Sequence, residues 1–308
     1  MSKAIEFAEF GPPEVMKLVD FPDPKPGPGQ VRVSVRAAGV NPVEYKIRSG
    51  FMSQMRPIEL PSGLGSELAG VIDDLGAGVE GFAVGDDVLG FSVTPAYAEL
   101  AVCEPGSLVA KPASVPFEVA GGLPIAARTA YTVLAMLEPK AGETLLMHAA
   151  AGGVGTVGAQ MAIARGVRVI GTAREENHEF LRSIGVEPVT YGDGLEQRVR
   201  ALAPDGIDMV FDCSGRGELP LSIELAGGPQ RVVTIAAYDS AEYDVRRAGP
   251  PEAAKHDVRV ALREVAELAA GGKLELPIWR AYPLAEAVAA AHESEHAHLR
   301  GKIVLIPS

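Results

Sequence analysis

Over roughly the first 120 positions, apolar and polar residues alternate in short runs rich in β-branched side chains, KAIEFAEF, QVRVSVRAAGV, LAGVIDDLG, DDVLGF and AELAVCE, separated by Gly and Pro. A period of two belongs to half-buried strands, so this stretch is expected to form a mostly β domain. The segment DFPDPKPGPGQ lies between two such runs. Each proline in it removes a backbone donor, so it reads as an exposed connection and not as part of a ladder.

From about residue 121 the rhythm changes. Compact apolar runs at ETLLMHA, VRVIGTA, VEPVTY, DMVFDCS and RVVTIAA alternate with helical patterns at GTVGAQMAIARG, ENHEFLRSIG and DGLEQRVRALA, each closed by Gly or Pro. Strands separated by helices give a parallel sheet covered on both faces, so a doubly wound Rossmann-type α/β fold is expected. An amphipathic stretch, DVRVALREVAELAAGG, leads back to Pro-punctuated strands at LELPIWRAYPL and KIVLIPS around the Ala-rich AEAVAAAHESEHA. The tail is assigned to the first domain, which gives a β domain of residues 1–120 and 267–308 with a dinucleotide-binding domain of 121–266 inserted in it.

Composition narrows the function. At 308 residues two domains are the natural division, and 47% hydrophobic with 22% charged residues suits an ordinary globular chain. The net charge of −12 disfavours nucleic acid as a partner, because a phosphate backbone would be repelled over most of the surface. A phosphorylated cofactor is still allowed, since a helix N-terminus and one or two basic side chains bind it locally. Cys103 and Cys213 are the only cysteines, too few for a disulfide framework or a four-thiolate zinc site. With neither a signal-peptide core nor a membrane-length apolar run, the cytoplasm is expected. His292, His296 and His298 are read as solvated residues near a helix end, not as metal ligands.

The segment LLMHAAAGGVGTVGAQMA sets a glycine cluster between a strand and a helix, the context a dinucleotide fingerprint requires. Aligned to G-x-G-x-x-G it reads Ala150-Ala151-Gly152-Gly153-Val154-Gly155, with Ala at the first glycine. A side chain at Gly152 would hold the backbone away from a pyrophosphate, and Gly155 permits close helix–strand packing. Arg174 stands 19 positions beyond Gly155. An acidic residue there would bind the ribose hydroxyls of NAD, whereas a guanidinium accommodates the 2′-phosphate of NADP, so NADPH is the expected cofactor. Glu175 and Glu176 follow directly and can approach the same ribose.

With those residues placed, the chain resembles the medium-chain dehydrogenase/reductase superfamily, and within it the zinc-free quinone oxidoreductase branch. The resemblance rests on AAGVNPVEYKIRSG at 37–50, LPSGLGSELAGVI at 60–72, GVEGFAVGDDVLGF at 78–91, AYAEL at 96–100, ARTAYTVL at 127–134, AAGGVGTVGAQMA at 150–162 and GKIVLIP at 301–307. It implies a GroES-like catalytic domain carrying the inserted Rossmann domain, and an enzyme, an NADP-dependent oxidoreductase reducing quinones or activated double bonds (enones, enals) by hydride transfer. Zinc-dependent members carry a Cys in the segment matching GVNPVEYK and a His before the Glu of Gly65-Ser66-Glu67. Both ligand positions are changed here, so zinc independence is expected.

Asn41 matches the family's active-site asparagine and is nominated as a donor to substrate or cofactor; it also suits a turn cap before Pro42. Tyr45 and Lys46 are candidates to donate to the developing oxyanion or relay a proton, and equally suit a surface helix with a packed aromatic and a solvated amine. Relatives have a tyrosine where Lys46 stands and a further aromatic near Phe51 and Met52, so the wall for a flat quinone is altered. Thr129 is expected near the nicotinamide, Tyr191 by the adenosine phosphate, and Cys213-Ser214-Gly215 beside the cofactor, with Cys213 as a small buried thiol. Arg280 and Lys302 are read as structural. A homodimer pairing through an apolar sheet edge at RVVTIAAYDS is expected, and the competing functions are a non-catalytic NADPH-binding or redox-sensing protein, or an enoyl reductase of a biosynthetic pathway.

Overall fold

The computed structural model describes residues 1–54, 57–296 and 299–307. The chain divides into two compact units, Met1–Pro124 with Leu262–Ala270 and Pro277–Ser308, and Ile125–Ala261 with Gly271–Leu276.

The first unit opens with strands β1 (Ser2–Phe7), β2 (Met16–Phe21), β3 (Val31–Val40), β4 (Ser62–Gly63), β5 (Glu67–Leu75), β6 (Asp87–Ser92) and β7 (Leu100–Ala110). Strands β2, β1 and β4 form a small sheet, while β3, β5, β6 and β7 follow one another antiparallel and β7 pairs back onto β3, closing the sheet on itself. Alternation sets the inward face: Val31, Val33 and Val35 are buried, and the residues between them reach the surface. Burying each such side chain stabilises the fold by about 1.5–3 kcal/mol. A short helix, α1 (Pro42–Arg48), leaves the end of β3, and α2 (Phe117–Gly122) lies across β3 where Gly121 meets the Ala37 backbone.

The second unit contains a six-stranded, wholly parallel sheet in the order β10-β9-β8-β11-β12-β13, built from β8 (Thr144–His148), β9 (Arg168–Thr172), β10 (Glu187–Val189), β11 (Met209–Asp212), β12 (Val232–Thr234) and β13 (Arg246–Arg247). Its central strands are buried along their length, as a sheet covered on both faces requires. Helix α3 (Pro124–Leu137) precedes the sheet, α4 (Gly153–Ala164) follows β8, α5 (His178–Ser183) follows β9, α6 (Leu195–Leu202) follows β10 and α7 (Leu219–Leu225) follows β11. This α/β order is the doubly wound Rossmann arrangement.

One expectation is corrected here. The strand within RVVTIAA is not an edge, because β13 pairs beyond it with Val233 opposite Arg246 and Thr234 opposite Arg247. The chain turns back through the 3-10 helix Ser240–Tyr243 and Asp244, whose φ of 54° lies in the left-handed region, so two exposed arginines now form the border strand. The apolar ladder foreseen for chain pairing is covered.

Strands β14 (Ile278–Pro283) and β15 (Lys302–Ile306) complete the first unit. β15 runs antiparallel to β3, with Ile303 opposite Val40, so Lys302 arrives beside the end of β3 where α1 begins.

Candidate active site and dinucleotide loop

Asn41 caps α1. Pro42 takes the first helical position, where its missing N–H costs nothing, and the Glu44 carboxylate reaches back to accept the Asn41 N–H at 2.8 Å. That reciprocal cap turns Asn41 inward. Its Nδ2 donates to Glu67 Oε1 at 2.7 Å and to the Gly39 carbonyl at 3.3 Å, and its Oδ1 accepts from the Lys302 ammonium. The same ammonium donates to Glu67 Oε1 at 2.9 Å and to the Val40 carbonyl at 3.2 Å.

Asn41, Glu44, Glu67 and Lys302 are all buried. Such a cluster is tolerated because Lys302 and Glu67 neutralise each other and the lone pairs are filled. Burial, then the charge of Glu67, push the Glu44 carboxyl up to about 8. Tyr97, whose hydroxyl lies 3.5 Å from the Gly39 carbonyl, is pushed well above the usual phenol range by burial and the two carboxylates.

Tyr45 and Lys46 go the other way. Tyr45 is 36% exposed and the half-buried Lys46 places its ammonium 5.7 Å from that ring centroid, while Asn41 spends its donors inside. Ser66, at the changed zinc-ligand position, lines a groove of about 700 Å³ with Glu44, Ile47, Leu64, Val93 and Leu100. The sequence had no role for Glu44 or Glu67 beyond their motifs and read Lys302 as structural. The signal available was a single charged residue at the start of an apolar run, ELAGVI and KIVLI.

In the second unit the glycine loop joins β8 to α4. Gly152 is the N-cap, and Gly153, Val154 and Gly155 form the first turn, whose amides have no helical acceptor. A methyl group on Gly155 would stand 2.4 Å from the Ala149 carbonyl and 2.8 Å from Ala150 Cα, so helix and strand approach only because glycine is there. On Gly152 the nearest atom, the Ala149 carbonyl oxygen, would be 3.4 Å away, an ordinary contact, so packing alone does not require glycine there. Ala150, at the first fingerprint position, is fully buried with its methyl against Gly171 of β9, where a second methyl would clash at 2.6 Å. The alanine is thus accommodated by a glycine on the neighbouring strand and does not intrude on the open side.

Arg174 follows β9 and Tyr191 follows β10, and the structure brings them together: Arg174 Nε donates to the Tyr191 hydroxyl at 3.1 Å. Glu176 Oε1 lies 3.9 Å from Arg174 Nη1, a loose pair at the surface. Ser214 follows β11; its N–H goes to Asp212 at 2.8 Å and its hydroxyl to Glu218 at 2.6 Å. Thr129 is half-buried on α3, next to Ala130, whose methyl faces Gly158 of α4. The loop, Arg174, Tyr191 and Ser214 therefore all lie at the C-terminal ends of parallel strands, where open α/β sheets bind ligands. Burial and Asp212 push the Cys213 thiol well above its ordinary range, which suits an inert thiol. His292 bonds Glu14 at 2.6 Å, His296 bonds the His292 carbonyl at 3.0 Å, and His298 is outside the described residues.

Comparison with known proteins places this geometry. Residues 27–122 match the alcohol dehydrogenase GroES-like domain model, and residues 184–305 match the zinc-binding dehydrogenase model. A quinone oxidoreductase of Pseudomonas aeruginosa is 34% identical over 100% of both chains, and the human quinone oxidoreductase is 33% identical over 99% of this chain and 98% of its own. Among solved structures, Escherichia coli quinone oxidoreductase complexed with NADPH superposes with a TM-score of 0.87 at 27% identity, covering 99% of this chain and 100% of that one.

Proposed function

Because this chain belongs to the quinone oxidoreductase family of the medium-chain dehydrogenase/reductase superfamily, we propose that it is an NADPH-dependent oxidoreductase reducing quinones or activated carbon–carbon double bonds (enones, enals) without zinc. The observation that carries the reading is the loop after β8: packing demands glycine at Gly155 but not at Gly152, and a close approach of pyrophosphate to the backbone accounts for glycine at the second position.

The residues present fit NADPH. The first-turn amides of α4 suit the pyrophosphate, and Arg174 with Tyr191 suits the 2′-phosphate. NADPH held by these residues would supply the hydride for the electrophilic carbon of the acceptor. Negative charge then grows on the acceptor oxygen, and donors aimed at it lower the barrier. Asn41 has committed both its amide hydrogens to Glu67 and Gly39, so we assign it to holding the site together. Tyr45 is exposed on α1 with the Lys46 ammonium beside its ring, and we assign oxyanion stabilisation and proton delivery to this pair.

A catalytic zinc does not fit. Ser66 offers only a hydroxyl, and Asn41 Oδ1 is taken by the Lys302 ammonium, which occupies the place a metal ion would need. The test is NADPH oxidation across a panel of quinones, enones and enals. Turnover that survives exhaustive chelation meets the proposal, NADPH binding without any turnover favours a non-catalytic cofactor-binding protein, and absence of binding ends the reading.

A further inference from the structure

Tyr191 sits in a four-residue loop, 190–193, whose carbonyl groups converge on one side chain. Arg198, one turn into α6, donates to the Thr190 carbonyl from Nη2 at 2.8 Å and from Nε at 3.0 Å, and to the Asp193 carbonyl from Nη1 at 2.9 Å. Longer contacts reach the Gly192 carbonyl at 3.3 Å and that of Tyr191 itself at 3.4 Å. The loop bends this sharply because Gly192 and Gly194 take φ of 84° and 76°, in the left-handed region. Carbonyl dipoles pointed at one place repel one another unless a cation with a fan of donors lies between them, and a planar guanidinium supplies that fan.

We propose that Arg198 is a positioning residue for cofactor selectivity: by clamping 190–193 it fixes the Tyr191 phenol against Arg174, and so the two groups that discriminate NADPH from NADH. The phenol oxygen accepts from Arg174 Nε, which leaves the Tyr191 O–H free to donate and keeps the Nη groups of the guanidinium out of that bond. Both are then oriented for a phosphate. Release of the loop removes the phenol from Arg174, which is 40% exposed and is left with the loose pair it already makes with Glu176 at 3.9 Å. NADH has no 2′-phosphate and does not use the pair.

This inference rests on the NADPH reading given above, and the wild-type measurement tests that reading separately. NADPH and NADH are titrated by nicotinamide fluorescence into wild type, Arg198→Met, Arg198→Lys, Arg174→Ala and the double variant Arg174→Ala/Arg198→Met. We expect Arg198→Met to weaken NADPH about tenfold while NADH changes by less than about twofold, with Arg198→Lys between them. In the Arg174→Ala background, Arg198→Met should change NADPH affinity no further, because the effect passes through Arg174. Equal loss of both nucleotides, an unchanged NADPH-to-NADH ratio, or a fully additive double variant would each overturn the proposal. A wild type that prefers NADH overturns the cofactor reading and this one with it. The ratio within each variant is an internal control against partial unfolding.

Discussion

Lys302 and Asn41 are 261 residues apart in sequence, yet the ammonium of one is hydrogen-bonded to the side-chain oxygen of the other inside the first unit. The same ammonium is the counter-ion of Glu67, whose side chain is fully buried. Removing one partner of a buried pair leaves an uncompensated charge, which typically costs about 3–5 kcal/mol. Lys302→Met should therefore lower stability by about that amount, and Lys302→Met with Glu67→Gln should recover part of it. Urea unfolding of the three proteins checks this; a single variant within about 1 kcal/mol of wild type would contradict the account.

Glu44 makes stability depend on pH in an unusual direction. Its carboxyl titrates near 8 in the fold against an ordinary 4.5, held up by burial and by Glu67 and opposed by Lys302. Between those values the folded protein binds more protons than the unfolded chain, so the contribution of this group to stability falls as pH rises from about 4.5 to 8, by up to about 1.4 kcal/mol per pH unit. Glu44→Gln keeps an oxygen for the Asn41 N–H and cannot titrate. Melting temperatures from pH 5 to pH 8 should decline less steeply in the variant, and parallel curves would remove Glu44 as the cause.

The glycine loop separates folding from binding. Gly155→Ala places a methyl 2.4 Å from a carbonyl that cannot move without shifting β8, so it should destabilise by about 1–3 kcal/mol. Gly152→Ala meets nothing closer than 3.4 Å and should melt like wild type, yet weaken NADPH at least tenfold by standing off the pyrophosphate. Thermal melts paired with nucleotide titrations decide it. Normal NADPH affinity in Gly152→Ala would mean that the loop is not a phosphate cradle.

Much of this was legible in advance. Period-two runs located β1, β3, β5, β6 and β7, and the apolar runs between helical patterns located β8 to β12. What escaped carried little periodic signal. β2, MKLVDF, is mostly exposed; β4 and β13 are two residues long; α7 begins at Leu219-Pro220 in a stretch that reads as a turn. In the candidate site, local motifs nominated Asn41, Gly152 and Arg174, because each is defined by its neighbours in sequence. The union of Asn41 with Lys302 depends on the register of β15 against β3, and the clamp of Arg198 on a loop turned by two glycines, neither of which sequence spacing encodes.

In the proposed cofactor site, Arg174 and Glu176 set opposing demands on the adenosine ribose. Arg174→Ala deletes a charge-assisted partner worth about 1.5–3 kcal/mol, so NADPH affinity should fall by at least about tenfold, with NADH little changed. The Glu176 carboxylate, 66% exposed and 3.9 Å from Arg174 Nη1, forms the kind of surface pair worth about 0–1 kcal/mol, so Glu176→Gln should strengthen NADPH by no more than about fivefold, and less so at high salt. The NADH arm of the same titration is the sharper one. If Glu176 serves only as a competitor for Arg174, its loss leaves NADH binding as it was; if it also accepts from the ribose hydroxyls, Glu176→Gln weakens NADH while strengthening NADPH. A loss of both nucleotides would instead assign Glu176 to the fold of the turn after β9, and selectivity would then rest on Arg174 and Tyr191 alone.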